Sequence, residues 1–296
     1  MLAKTMVLFT TLTLLLMLFG FIVGLFLGSP LVFMLIGLVF AGVLNLASYL
    51  YSDKFVLWST HTMLISETDN PGLYSIIRNV SQKANIPMPR VGIVDSVQAN
   101  AFATGRNQNR AVVVVTTGIL KTLTAGELEA VIGHEICHVT HKDILVASVA
   151  ATIAGAISYL GQIVLWNSFF AGTGRSRDEN NGGLYMMIVA AILIPIGAVL
   201  VQLGISRSRE SYADVEGAKL TQKPQELINA LRKISSKSAA SQWRHQNAPS
   251  PATSSLWIVN PLKGSTWTEM FSTHPSLQKR IANISKVAQD MGIMVS

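Results

Sequence analysis

Four long apolar segments constrain what this chain can fold into more than any other feature of its sequence. They comprise residues 6–28, 31–51, 144–166 and 185–205. None contains a charged side chain, and each is close to the roughly 20 residues that a helix needs to cross a hydrocarbon core about 30 Å thick. With 50% hydrophobic and 13% charged residues, the composition also departs from that of soluble proteins. The sequence therefore predicts a mostly helical integral membrane protein with about four transmembrane helices.

The four segments fall into two pairs. Ser29-Pro30 separates the first two, which predicts a tight turn and a transmembrane hairpin. A removed signal peptide is a weaker interpretation of the first segment, because no convincing small-residue cleavage site precedes the second. The second pair has an alternative, namely apolar helices buried inside the soluble domain. Lengths near 20 residues without a charge favour the membrane for this pair as well.

The charges beside the segments indicate an orientation. Four spans would place both termini and both polar blocks on one side of the membrane and residues 167–184 on the other. Basic residues flank the spans on the common side: Lys4, Lys54, Arg207 and Arg209. Because short cytoplasmic segments carry an excess of Lys and Arg, we expect the common side to be cytoplasmic.

The alternation of apolar and polar stretches divides the chain into four parts. We expect a transmembrane hairpin in residues 1–52 and the first part of a folded polar domain in residues 53–143. A second transmembrane or apolar helix pair follows in residues 144–205, and the second part of the same domain in residues 206–296.

Residues 53–143 contain the β-like sequence of the chain. After an amphipathic helix that starts at Asn70-Pro71 and runs to about Asn85, short segments at Val91–Asp95, Asn100–Thr104 and Ala111–Thr116 predict a small sheet, so the fold class is α+β. An edge strand formed by Asn100, Ala101, Phe102 and Ala103 could hold an extended peptide through main-chain hydrogen bonds. The alternative is a sheet strand and turn with no further role.

An H-E-x-x-H motif follows the predicted sheet, with His134, Glu135 and His138. On a helix, residues four apart share a face, so both imidazoles can reach one ion. A helix is indicated independently by a capping box, Thr124-x-x-Glu127, followed by apolar residues at helical spacing. A zinc ion held there would acidify a water molecule, and Glu135 could accept its proton. The alternative is two solvated or core histidines on an ordinary helix.

Two histidines leave such an ion short of a third protein ligand. His141 lies near the same face, but three ligands within two turns of one straight helix converge poorly. A glutamate from a later helix, as in His₂Glu zinc sites, fits better, and Glu210 is the candidate. Asp214, one turn later, is placed to accept an N–H from a ligand histidine. Alternatively, Glu210 and Asp214 are solvated carboxylates balanced by Arg207 and Arg209.

The single cysteine and the net charge of +7 have simple interpretations. Cys137 lies directly before His138, where it is poorly placed to share an ion with both histidines, so we expect a small packed residue. The basic residues are scattered without a Lys/Arg run. They therefore favour attraction to a lipid surface over binding of nucleic acid.

Taken together, these motifs resemble the HtpX-type membrane zinc metalloproteases, bacterial heat-shock proteases distantly related to the eukaryotic CAAX prenyl endopeptidase. The resemblance covers nearly the whole chain and rests on N-A-F-A-T-G at residues 100–105, H-E-x-x-H at 134–138, R-x-x-E-x-x-A-D at 207–214, T-H-P at 273–275 and K-R-I at 279–281. It implies one Zn²⁺ per subunit, with His134, His138 and Glu210 as ligands and Glu135 as catalytic base. It also implies a gluzincin-like domain facing the cytoplasm from the bacterial inner membrane, and the clearance of misfolded or damaged membrane proteins.

The chain departs from the HtpX-type pattern at two places. His141-Lys142-Asp143 stands where such chains usually have Asn-Gly-Asp, and Tyr212 stands where they commonly have histidine. Neither touches a ligand, so subfamily and substrate preference are affected more than zinc chemistry. In related membrane zincins a His-Pro and a following arginine approach the site. His274 and Arg280 could thus stabilise an oxyanion or hold a ligand carboxylate, or they could be a helix N-terminus and a surface arginine.

The sequence therefore predicts a membrane-bound zinc endopeptidase that acts on peptides or unfolded membrane proteins. A degenerate zinc-binding membrane scaffold is the alternative, but it would lose the base, and Glu135 is present. A zinc or ion transporter would need ligands within the membrane spans, whereas all candidate ligands lie at or beyond span ends.

Overall fold

The computed structural model describes residues 2–141, 143–171, 207–241 and 275–295. The predicted fourth apolar segment, residues 185–205, and His274 lie outside these ranges. The described helices are α1 (Leu2–Leu27), α2 (Pro30–Ser59), α3 (Pro71–Lys83), α4 (Thr117–Thr122), α5 (Ala125–Thr140), α6 (Asp143–Ala171), α7 (Arg207–Thr221), α8 (Pro224–Ser241) and α9 (Leu277–Asp290). The strands are β1 (Met63–Ile65), β2 (Arg90–Val94), β3 (Ala101–Thr104) and β4 (Val112–Thr116).

Helices α1 and α2 form the predicted hairpin, and the turn between them lies at Gly28 and Ser29. Both are long and apolar enough to cross a membrane, over Met6–Leu25 and Pro30–Ser59. Many of their large apolar side chains are exposed, as expected for a surface that faces lipid. Helix α2 continues past the predicted end of the second segment at Tyr51, and Ser52 and Asp53 are buried within it. The hairpin and the polar block that follows therefore share one continuous helix.

Helix α6 packs along the hairpin. One buried apolar cluster joins the three helices. Helix α1 contributes a leucine at every fourth position, α2 contributes Ala41, and α6 contributes four residues. The leucines of α1 are Leu8, Leu12 and Leu16, and the residues of α6 are Val149, Ala150, Ile153 and Ile157. The first part of the third apolar segment thus adds a third helix to the hairpin.

The third apolar segment begins directly after Asp143, so the sequence predicts that the H-E-x-x-H helix runs straight on to the membrane, and this prediction was wrong. Helix α5 ends at Thr140, and α6 leaves at an angle of 87° after a short break. The two helices have different partners, because α5 packs on the sheet and on α7, whereas α6 follows the hairpin. One straight helix could not satisfy both directions.

The four strands form a mixed sheet in the order β1-β2-β4-β3. Strands β2 and β4 are parallel, and the other two pairs are antiparallel. The three predicted strands are present, and a loop with Gly105 at φ 138° joins β3 to β4. Strand β1 was not predicted, because it has only three residues and exposes two apolar side chains, Met63 and Leu64.

The central strand β4 is buried on both faces, since side chains alternate along a strand. Val113 and Val115 face the main core, which α3, α5, α8 and α9 complete. Val112 and Val114 face a second cluster with Phe102, Val56 of α2 and Ala151 of α6. The sheet therefore lies between the helices of the main core on one face and the ends of the apolar helices on the other.

Helices α5 and α7 approach each other closely at two glycines. A Cβ atom at Gly217 would lie 2.8 Å from the backbone nitrogen and 2.9 Å from the Cα of His134. A Cβ atom at Gly133 would collide with Cγ2 of Thr221. Only hydrogen fits between the two backbones at Gly217, so this residue sets the spacing of the two helices.

Gly217→Ala tests this spacing. The added methyl group must push α7 away from the backbone of α5, and we expect a loss of about 1–3 kcal/mol in the free energy of unfolding, as for other overpacked sites. The control is Gly126→Ala in α5, where the new Cβ would lie 3.5 Å from Cγ of Glu226, an ordinary contact. Equal unfolding midpoints of the two variants in detergent would contradict the close packing.

Candidate metal centre

Helix α5 begins with the predicted capping box. The Thr124 hydroxyl accepts a hydrogen bond from the Glu127 backbone N–H at 3.3 Å, and the Glu127 carboxylate accepts one from the Thr124 N–H at 2.8 Å. Lys233 of α8 also donates to this carboxylate, at 2.8 Å. Val131 and Ile132 are fully buried on the core side. The start and the buried face of α5 thus fix its position before it reaches the two histidines.

Three side chains converge at the second half of α5. Nε2 of His134 and Nε2 of His138 are 3.3 Å apart. Oε1 of Glu210, on α7, lies 3.3 Å from Nε2 of His138, and its Oε2 lies 3.6 Å from Nε2 of His134. Among the described residues these three form the group able to hold a metal ion. The structure therefore brings together the three residues that the sequence analysis selected as ligands.

The spacing of the three donor atoms fits a zinc ion. Ligands about 2.0–2.1 Å from a tetrahedral zinc lie roughly 3.3–3.4 Å from one another. The two imidazole nitrogens and the carboxylate oxygens match that spacing within a few tenths of an ångström. Two imidazoles and one carboxylate are also the donor set of many catalytic zinc sites.

The second ring nitrogen of His134 faces a buried ion pair. Oδ1 of Asp214 lies 3.0 Å from Nδ1 of His134. Arg280, on α9, donates two hydrogen bonds to the same carboxylate, from Nε at 2.8 Å and from Nη2 at 2.6 Å. Burial raises the pKa of Asp214, but the charge and hydrogen bonds of Arg280 and the contact with His134 outweigh it and lower the pKa to about 2. Asp214 is therefore ionised at neutral pH. It lies beside His134, where the sequence analysis placed it to accept an N–H from a ligand histidine.

Arg280 is only 2% exposed, so the interpretation as a surface arginine was wrong. It reaches the site from α9 and binds the carboxylate of Asp214.

The second ring nitrogen of His138 faces another carboxylate, which the sequence analysis missed. Nδ1 of His138 lies 3.5 Å from Oδ2 of Asp143, and Oδ1 of Asp143 accepts a hydrogen bond from Nη1 of Arg209 at 2.7 Å. Burial raises the pKa of Asp143, but His138 and Arg209 outweigh it, so the pKa is lowered. The sequence analysis treated Arg209 as a flanking charge, and the signal for Asp143 was an acidic residue five positions after His138 that the HtpX-type pattern shares.

Glu135 is buried, with 5% of its surface exposed. Burial lowers the pKa of His138, but Glu210, Asp143 and Glu135 together raise it to about 10. Burial lowers the pKa of Arg280, but Asp214, Glu210 and Glu135 together raise it above its ordinary value. The charge of Glu135 therefore acts both on a ligand histidine and on the arginine that binds Asp214.

His141 and Cys137 lie apart from the three converging side chains. Nδ1 of His141 lies 2.8 Å from the carbonyl oxygen of Cys137, and its ring meets the edge of the Tyr212 ring with centroids 5.0 Å apart. Cys137 is buried, and burial raises the pKa of its thiol to about 12. Neither residue belongs to the group of three side chains that could hold a metal ion.

Strand β3 is at the edge of the sheet, as the sequence analysis expected. The Thr116 N–H donates to the carbonyl of Asn100 at 2.9 Å. Because hydrogen-bonded pairs alternate along antiparallel strands, the backbone groups of Ala101 and Ala103 point away from β4. Asn100, Ala101, Phe102 and Ala103 are all buried, and α5 packs against this strand.

Comparison with known proteins identifies the family. The model of peptidase family M48 matches residues 67–288, which include every described residue of the site. The chain belongs to peptidase family M48. A Protease HtpX homolog of Syntrophobacter fumaroxidans is 44% identical over 285 residues, covering 95% of this chain and 97% of the relative. A Protease HtpX homolog of Thermococcus kodakarensis is 43% identical over 290 residues, covering 98% and 97%.

A solved structure, the crystal structure of S. mikatae Ste24p, matches this M48 chain with a TM-score of 0.49 and 17% identity, covering 96% of this chain and 65% of that one. The resemblance to HtpX-type proteases is confirmed by the family match and the curated relatives. This M48 peptidase is a membrane metalloprotease, mostly helical, with a small mixed sheet and two candidate membrane spans.

Removal of the Arg280 guanidinium tests how strongly the site depends on its buried ion pair. Arg280→Met leaves the Asp214 carboxylate buried without its cation, and we expect a loss of about 3–5 kcal/mol in the free energy of unfolding. The control is Arg78→Met, which breaks an ion pair with Glu67 on the exposed surface and should change stability little. Urea unfolding in detergent measures both. Equal effects of the two variants would show that the Asp214–Arg280 pair contributes no more than a surface pair.

Proposed function

We propose that this M48 peptidase is a zinc endopeptidase, with one Zn²⁺ held by His134, His138 and Glu210 and with Glu135 as the catalytic base. The convergence of the three donor atoms at 3.3–3.6 Å, from two helices far apart in sequence, is the observation that carries the proposal. Bound zinc would supply Lewis acidity that polarises the scissile carbonyl and acidifies a water molecule. Glu135 would accept the proton of the attacking water and pass it to the leaving amine.

Asp214 and Arg280 have a positioning role in this proposal. A carboxylate at Nδ1 of His134 favours the tautomer with its proton on Nδ1, which leaves the Nε2 lone pair for the metal. Arg280 holds Asp214 with two hydrogen bonds, which favours this role over direct contact with an oxyanion. His274 remains the predicted residue for that contact.

We place the extended substrate along the outer edge of β3. Ala101 and Ala103 direct backbone groups to this edge, beside the helix that carries the catalytic motif. Since both residues are at most 6% exposed, the groups that cover the edge must move before a peptide can pair with it.

The proposed catalytic domain is gluzincin-like and combines residues 53–143 with residues 206–296. Helix α7, from the second part, packs on α5, from the first, and supplies Glu210 to the histidines. The hairpin of residues 1–52 and the helix pair of residues 144–205 would provide four spans. The packing of α6 along the hairpin supports the membrane assignment of the first half of that pair.

The proposed location is the bacterial inner membrane, with the catalytic domain on the cytoplasmic side. The proposed substrates are misfolded or damaged membrane proteins, the class that the resemblance to HtpX-type proteases implies. The position of the site at the ends of the apolar helices supports this substrate class, because unfolded segments would emerge from the bilayer beside it.

Glu135→Gln separates the proposed chemistry from metal binding. The amide cannot accept the proton, so cleavage of an unfolded membrane protein should fall by at least about 10²-fold, while the zinc content stays at one ion per chain. Measurements are the rate of cleavage and metal analysis of purified protein. A chelator should abolish wild-type activity, and added zinc should restore it.

The matched control is Glu216→Gln, which neutralises a carboxylate on α7 that lies outside the ligand group. Its activity should stay close to that of the wild type. If Glu135→Gln keeps zinc and cleaves as fast as the control, Glu135 is not the base. If neither the wild-type protein nor Glu216→Gln cleaves a peptide, the protein is the zinc-binding membrane scaffold of the alternative interpretation.

Membrane topology is tested with single cysteines in a Cys137→Ala background. With four spans, a cysteine at Gly174 and one at Thr68 face opposite sides of the membrane. We expect an impermeant maleimide to label Gly174→Cys in spheroplasts and Thr68→Cys only in inverted vesicles. If both positions are labelled in the same preparation, they lie on the same side of the membrane, and the four-span topology is wrong.

A further inference from the structure

The two ligand histidines have similar but unequal surroundings. Each Nδ1 faces an aspartate, and each aspartate is bound by an arginine. The pair behind His134, Asp214 with Arg280, is buried to 2% exposure or less. The pair behind His138, Asp143 with Arg209, is 18% exposed at both side chains. His138 is therefore held by the more accessible of the two pairs.

The Asp143–Arg209 pair occupies a junction of the fold. Asp143 is the first residue of α6, directly after the 87° change in helix direction. Arg209 lies in the first turn of α7, directly before Glu210. Its hydrogen bond to Asp143, 2.7 Å long, therefore joins the start of an apolar helix to the helix that carries the third ligand.

The charges at this junction favour one arrangement of the His138 ring. The carboxylate of Asp143 faces Nδ1, so the proton is favoured on that nitrogen and the lone pair on Nε2, which faces Glu210 and His134. Arg209 binds the other oxygen of the carboxylate and so restricts its rotation. Asp143 also lies in the first turn of α6, where a negative charge is stabilised.

We propose that Asp143 and Arg209 are positioning residues for His138, so that the placement of α6 against α7 sets the geometry of the metal centre. The inference rests on the proposed function and adds to it a dependence of the zinc site on an apolar helix. Val149 and Ile153 of α6 pack against the hairpin. A displacement of α6 along the hairpin would move Asp143 relative to His138 and loosen the ring.

The test compares zinc affinity in full-length protein purified in detergent. Asp143→Asn removes the charge behind His138, and we expect a 10- to 100-fold weaker zinc affinity in competition with a chelator. Arg209→Gln leaves the aspartate in place and should weaken zinc binding in the same direction by a smaller factor. Cobalt-substituted Asp143→Asn should show altered d–d absorption bands, which report on the geometry at the ion.

Glu129→Gln is the matched control. Glu129 lies on the same helix as His138, is 16% exposed, and pairs with Lys223 at 2.6 Å without contacting a ligand. We expect its zinc affinity within twofold of the wild type, with unchanged cobalt bands. If Asp143→Asn and Arg209→Gln match this control in affinity and spectrum, the pair is only a structural ion pair and the inference is overturned.

The proposed function has its own readout. Should wild-type protein fail to bind stoichiometric zinc, or should His138→Ala bind it as tightly as the wild type, the ligand assignment fails independently of the ion pair. Should Asp143→Asn not fold, Arg209→Gln decides the outcome, since a zinc affinity equal to that of Glu129→Gln overturns the inference.

Discussion

The packing of α5 against α7 is the contact on which the rest of the structure depends. His134 and Glu210 can approach within 3.6 Å only because the two backbones nearly touch at Gly217. Glu135, Glu210 and Asp214 are buried on these two helices, and a buried charge is tolerated only where an opposite charge or hydrogen bonds compensate it. Arg280 supplies that compensation from a third helix, so α9 is bound to the site through charge as well as through the apolar core.

The sheet connects this site with the apolar helices. Strand β4 can face two apolar layers because all five of its residues are buried and four of them are valine. One layer contains Val131 and Ile132 of the metal-binding helix, and the other contains Val56 of α2 and Ala151 of α6. Helix α2 is continuous from the hairpin to Ser59, so the catalytic part is connected rigidly to the hairpin. This arrangement fixes the site close to the ends of the apolar helices.

The sequence predicted the features that local physics determines. The capping box, the helix around His134 and His138, and the three predicted strands follow from neighbouring residues, so the local sequence was enough to predict them. Glu210 was found because zinc chemistry requires a third ligand and the chain offers a helical carboxylate after the apolar pair. The resemblance to a known family then fixed the choice and the roles.

What the sequence did not predict depends on contacts distant along the chain. Arg209 lies 66 positions from Asp143, and Arg280 lies 66 positions from Asp214. No periodicity or local pattern indicates which arginine meets which aspartate. The bend after Thr140 was missed for a similar reason. Its direction is set by distant contacts, since α5 packs on the sheet and on α7 whereas α6 packs on the hairpin. The polar residues Ser52 and Asp53 indicate the end of an apolar segment, yet both are buried where α2 continues beyond Tyr51.

The balance of charge around the proposed ligands explains why this group of side chains suits a divalent cation. Among the described residues, four carboxylates surround the histidines: Glu135, Asp143, Glu210 and Asp214. Arg209 and Arg280 neutralise two of these charges, and the remaining two equal the charge of one zinc ion when both imidazoles are neutral. Burial alone would lower the pKa values of His134 and His138, yet the carboxylates raise both. The negative charge that raises these pKa values also favours a divalent cation at the same ring nitrogens.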